Sequence, residues 1–102
     1  MVTIDESFES RMRARPDDNY KVQVMISYHN AEQNWSNLET FVRDNEMKII
    51  AEEDPHPSMI SNISMRIETK GYKILRLLDQ DYICTILEND NKLNLKGAKP
   101  IN

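Results

Sequence analysis

The chain has one cysteine, Cys84, in 102 residues, so no internal disulfide can form and nothing in the thiol count calls for an oxidising compartment. Glycine is nearly as scarce. Two glycines argue against a glycine-rich phosphate loop or a barrel with many tight corners. Aromatic residues make up 7% of the chain. No stretch approaches the roughly 18 consecutive apolar residues that cross a bilayer. The first 19 residues lack the apolar segment of a secretory signal and start with Met, which suggests a protein of the cytoplasm. Excess positive charge is also missing: 17 acidic residues face 13 basic ones, for a formal charge of -4. A field of that sign repels nucleic acid and anionic membranes, so neither is an expected partner.

What is present suffices for one small domain. The hydrophobic fraction is 39%, lean but adequate for a two-layer fold, and no second core fits at this length. Residues 1–19 are charged, show no periodicity and end in the turn signals of Arg15-Pro16-Asp17-Asp18-Asn19; they read as a mobile arm or a short frayed helix. From Tyr20 the pattern is regular. Tyr20, Val22, Val24, Ile26 and Tyr28 alternate with Lys21, Gln23, Met25, Ser27 and His29, the period of a half-buried strand whose first set faces the core.

Asn30 suits an N-cap, and Trp35, Leu38, Phe41 and Val42 fall at helical spacing, predicting a helix over 31–45. A short strand over 47–53 ends at the loop Asp54-Pro55-His56-Pro57-Ser58. A third strand follows through Ile63, Met65 and Ile67, then a second helix built on Ile74, Leu75, Leu77 and Leu78, and a fourth strand over 82–88. The order β-α-β-β-α-β, joined by short right-handed connections, predicts an α+β fold of the ferredoxin-like type. That fold is a four-stranded antiparallel sheet with two helices on one face.

No catalytic or metal-binding constellation stands out. His29 and His56 read as a strand-end and a loop histidine, and no serine sits in a nucleophile-elbow context. Cys84 reads as a packing residue within a strand. We therefore expect no enzymatic activity, no metal and no cofactor. Glu88 and Asp90, two apart in an extended segment, point the same way. That geometry suits capping the N-termini of a partner's helices, and it also suits an ordinary acidic strand exit. The outward-facing set on the open sheet face holds no aromatic, so the base-stacking platform of RNA-binding relatives of this sandwich is missing. It does hold Met25, Ile50 and Ile60. If strand parity puts Glu88 outward, then Ile86 and Cys84 lie outward too, while Ile83 and Leu87 enter the core. Met25, Ile60 and Ile86 are thus the candidates for an apolar interface on the sheet.

The run NISMRIETKGYKILRLLDQDYICTILEND and the tail after it resemble the propeptide domain of subtilisin-like serine proteases, a family that includes free-standing protease inhibitors. YKVQVMISYH resembles that family's first strand. The resemblance runs from Tyr20 to Lys96, and the second strand with its Asp54–Ser58 connection departs from it. It implies a free-standing inhibitor, or a chaperone acting in trans, whose open sheet face packs on two helices of the protease. Glu88 and Asp90 would cap those helices. Residues 91–96 would lie in the active-site cleft as an added strand, with Leu93 in an apolar subsite and Lys96, or Leu95 in a shifted register, beside the catalytic serine. The expected organisation is an arm (1–19), an inhibitor-like domain (20–90) and an extended tail (91–102), monomeric when free. The alternative is a module of the same fold that dimerises or docks on a protein unrelated to proteases.

Overall fold

The computed structural model describes residues 2–53 and 64–89, with residues 51–53 described by their backbone alone. The alternation read in the sequence builds the central strand, β2 (Asn19–Ile26). Val22, Val24 and Ile26 are buried on one side, and Lys21, Gln23 and Met25 stand half-buried on the other. A strand of this period must find cover for its apolar side only. The helix α2 (Ala31–Asp44) supplies part of that cover with Trp35, Leu38 and Val42, three and four residues apart on one stripe.

Both ends of α2 use unusual chemistry. Asn30 stands at the N-cap as expected, but its φ of 68° is left-handed and its side chain makes no capping bond. Asn34 closes the turn instead, its Nδ2 donating to the carbonyls of Ser27 and His29, both at 2.9 Å. At the other end the N–H groups of Glu46 and Met47 donate to the carbonyls of Arg43 and Val42. This double closure places Glu46 at φ 55°, where glycine is the usual residue.

The remaining elements are β3 (Lys48–Glu53), β4 (Ser64–Lys70), α3 (Gly71–Leu77) and β5 (Ile83–Glu88), preceded in the chain by β1 (Thr3–Ile4) and α1 (Glu6–Ala14). The five strands form one sheet in the order β1-β5-β2-β4-β3. The pairs β5-β2, β2-β4 and β4-β3 are antiparallel, and β1 runs parallel to β5. The fold is therefore α+β with three helices and a mixed five-stranded sheet, one helix and one strand more than expected from the sequence. A single core joins Phe8 and Met12 of α1, the α2 stripe, Ile74 and Leu77 of α3, and the inward side chains of β2, β4 and β5.

Of the two readings of residues 1–19, a mobile arm or a short frayed helix, the first is overturned: a helix is present, and it is capped and packed rather than frayed. Asp5 caps α1, its carboxylate accepting the Phe8 N–H at 3.0 Å and the Ser7 hydroxyl at 2.7 Å. These two bonds hold the Asp5 carboxyl below its ordinary pKa, the Ser7 bond contributing most. Phe8 and Met12, one turn apart, are both sealed from solvent. The Phe8 ring meets the edge of Tyr20, centroids 5.8 Å apart. The Tyr20 hydroxyl in turn lies 3.2 Å and 3.0 Å from the Arg11 and Arg15 carbonyls at the end of α1. Gly71 admits this packing: a Cβ there would stand 3.0 Å from the Tyr20 ring and 3.3 Å from the Met12 Cβ. Tyr28, expected on the core side of the first strand, is exposed, because β2 ends at Ile26.

If α1 is part of the core, removing its buried ring leaves a cavity between helix and sheet. Phe8→Ala should then cost about 3–5 kcal/mol, read as a lower urea midpoint, whereas an arm outside the fold would tolerate the change unnoticed.

Candidate functional site: the open sheet face

One irregularity in β5 decides which side chains face outward. Met25 pairs with Thr85 and Ile26 pairs with Ile83, so Cys84 is an extra residue opposite that step of β2. A bulge of this kind resets strand parity. Ile83 and Ile86, three apart, both enter the core, and Leu87 stands outward at 47% exposure. Two expectations are corrected here. Ile86, placed by simple alternation on the sheet's interface, is 1% exposed and belongs to the core, and Leu87, placed in the core, belongs to the open face. Cys84 is an exposed free thiol.

The same reset moves Glu88. It pairs in register with Val22, a core residue, and so projects to the helix side of the sheet. There Arg11 of α1 takes it in a two-pronged ion pair at 2.6 Å and 3.1 Å, an arrangement that fixes geometry as well as charge. The carboxylate raises the pKa of the Arg11 guanidinium further above its ordinary value. Arg11 also lies over the Phe8 ring, 5.3 Å from its centroid. The expectation that Glu88 points outward to cap a partner's helices is therefore corrected: its side chain is already engaged within the chain, on the opposite side from the open face. Asp90, Leu93, Leu95, Lys96, Ile60 and His56 lie outside the described residues.

Of the three candidate interface residues, Met25 keeps its place. It is half-buried on the open face between Thr85 and Ser64. Around it the register sets out rows of side chains across the sheet. Gln23 lies between Leu87 and Arg66, and its amide donates to the Ser64 hydroxyl at 3.0 Å. Lys21 and Lys48 flank Glu68 from either side. The face is uncovered by any described helix and carries isolated apolar side chains among polar and charged ones, with Ser64 buried. Beyond it, the β3 edge exposes Ile49 and Ile50, the latter an extra residue in the pairing with β4.

On the helix side, an open groove of about 300 Å³ runs along α2 beside the turn before β5, with Phe41, Asp44 and Tyr82 in its lining. Asp44 is the one charged residue in its lining. Among the described residues no group of three or more His, Cys, Asp or Glu could hold a metal ion, and His29 is exposed. No described helix is long and apolar enough to cross a membrane. No family model, curated protein or solved structure matches the chain.

Tyr82 gives this region a measurable signature. Its half-buried ring has the hydroxyl 3.4 Å from the Asn37 carbonyl, and burial, aided by the Asp81 charge, pushes its pKa from 10 up to about 12. Because the folded value lies above the unfolded one, the protonated phenol contributes stability that is complete below pH 10 and is lost as pH rises through 12. In a 295-nm titration Tyr82→Phe should remove a component ionising near pH 12, and its loss of stability between pH 10 and 12 should be shallower. An unchanged high-pH titration in the variant would refute the assignment.

Proposed function

We propose that the chain is a non-catalytic protein-binding module that docks through the open face of its sheet, and that its partner is a subtilisin-like serine protease. The observation that carries the docking is a sheet face that no described helix covers, with Leu87 and Met25 set among polar and charged side chains. Small-molecule sites are concave, whereas a sheet face of mixed character suits a protein interface. The choice of partner rests on the resemblance of residues 20–96 to subtilisin propeptides.

Topology supports that choice. From β2 to β5 the chain runs β-α-β-β-α-β with strand order β5-β2-β4-β3 and every neighbouring pair antiparallel. We read this portion as a ferredoxin-like sandwich to which β1 and α1 are an N-terminal addition. With Glu88 held by Arg11, Asp90 is the acidic residue left for capping the protease's helices. Leu93, Leu95 and Lys96 then supply the segment that occupies the cleft. The exposed thiol of Cys84 suits a reducing compartment, and we place the protein in the cytoplasm on that ground.

A second reading is favoured by the Arg11–Glu88 pair. The acidic strand exit is then simply an internal fastening, and the module docks on a protein unrelated to proteases or on its own copy.

Stoichiometric incubation with a broad-specificity subtilisin, followed with a chromogenic peptide, separates the two. The full chain should abolish activity at equimolar ratio. Deleting residues 90–102 should weaken inhibition by orders of magnitude while the circular dichroism stays unchanged. Glu88→Ala, which breaks an exposed ion pair of modest strength, should cost at most about 1 kcal/mol of stability and leave potency nearly intact. Digestion of the full chain with no loss of protease activity would reject the protease and leave the second reading.

A further inference from the structure

We propose that the open sheet face is an electropositive docking strip that selects an acidic protein surface. This rests on docking through that face and is independent of whether the partner is a protease.

Charge is distributed unevenly between the two sides of the sheet. Strand register puts four cations on the open face: Lys21, Lys48, Arg66 and Lys70. One described carboxylate shares it, Glu68 in its middle. Of the 17 acidic residues in the chain, Glu52, Glu53, Asp54 and Asp90 have no described side chain, so 12 remain for the helix layer and its loops. Of the 13 basic residues, Lys92, Lys96 and Lys99 lie outside the described residues, so six remain there. The helix side is strongly acidic and the sheet face is net basic, although the whole chain carries -4.

Among the described residues, three of the six helix-side cations, Arg11, Arg13 and Arg15, are paired with a carboxylate, at 2.6, 2.6 and 3.1 Å, while Lys73 and Arg76 donate to the backbone and side-chain oxygens of Asn45, at 2.7 and 2.9 Å. On the open face Lys21, Lys48 and Arg66 make no ion pair among the described residues, and Lys70 donates only to the Asp17 carbonyl, at 3.2 Å. Glu68 is shared in register by two lysines, and Arg66 has Gln23 opposite it rather than an acid. Among the described residues, no ion pair neutralises this charge.

Distance decides whether an approaching surface senses the two sides separately. The molecule is 23 Å across its shortest dimension, against a screening length of about 8 Å at physiological ionic strength. A partner touching the sheet responds to the sheet's own charges, and one approaching the helices meets repulsion. An acidic surface is thus steered into a single orientation. Leu87 and Met25 then provide the apolar contact at the neutral end of the strip. Nucleic acid is the weaker candidate for the same charge, because no aromatic side chain stands on the described face to stack a base.

The test is an amide chemical-shift titration of the full chain with a decaglutamate peptide. Decalysine and a ten-nucleotide single-stranded DNA serve as the other arms. Decaglutamate should shift amides of β2, β3 and β4 around Lys21, Lys48 and Arg66 at low salt, the effect should vanish near 1 M salt, where the screening length is about 3 Å, and the folded variant K48Q/R66Q should bind about tenfold more weakly. Decalysine should map to the helix layer. Decaglutamate shifts on the helices, no shifts at all, tighter binding of the DNA to the same strands, or self-association of the free chain through that face would each overturn the proposal. Subtilisin inhibition by the wild type is measured alongside. Its absence, with the decaglutamate result as expected, rejects the protease and keeps the strip.

Discussion

Ile83 and Ile86 have to reach the same core from a six-residue strand, and three is an odd number. A regular strand cannot turn both inward. The extra residue at Cys84 resolves the conflict, and the rest of the C-terminal half follows from it. Past the bulge Leu87 turns to the open face and Glu88 turns to the helices, into reach of Arg11. Arg11 in turn lies on Phe8. One inserted residue thus links the acidic strand exit to the packing of the N-terminal helix.

That helix also settles how the sheet ends. β1 lays Thr3 and Ile4 parallel along β5, opposite Thr85 and Ile86, and so covers part of an edge that would otherwise present unpaired backbone groups. A two-residue parallel strand holds little by itself. It is kept in place by Val2 and Ile4, packed against the core that Phe8 and Met12 join, and by the Tyr20 hydroxyl at the end of α1. The N-terminal unit and β5 therefore support each other.

The elements legible in the sequence are those with a long, clean period. The alternation over β2, the Trp35–Leu38–Val42 stripe and the Ile74–Leu77 face all sit where their spacing puts them. α1 was offered only as a short frayed helix, and its place in the core escaped because only two of its nine residues are buried and charged residues surround them. Its signals were nonetheless present: Asp5 followed three residues later by Phe8, and Phe8 one turn before Met12. The parity of β5 was not legible from the strand alone. Val-rich or Ile-rich strands of six residues do not announce a bulge, and the outward or inward sense of Ile86, Leu87 and Glu88 depends on pairing with β2. Met25 was read correctly because β2 is regular over its whole length on the core side.

The two faces of the sheet answer to different demands. On the helix side Val22, Val24, Met65, Ile67 and Ile86 are fully buried in close packing, where even a methylene matters. The open face bears no such constraint, and strand propensity there would be met by threonine or valine. An opposite-charge pair directly across two strands adds about 0.2–1 kcal/mol, and Lys21 and Lys48 each face Glu68 in this way, whereas Arg66 faces Gln23. Cross-strand pairing therefore accounts for the two lysines and not for Arg66. Under the proposed docking, the net positive charge that remains is met by the partner's surface, and the distribution of charge, more than the few apolar residues among it, would set the partner's orientation.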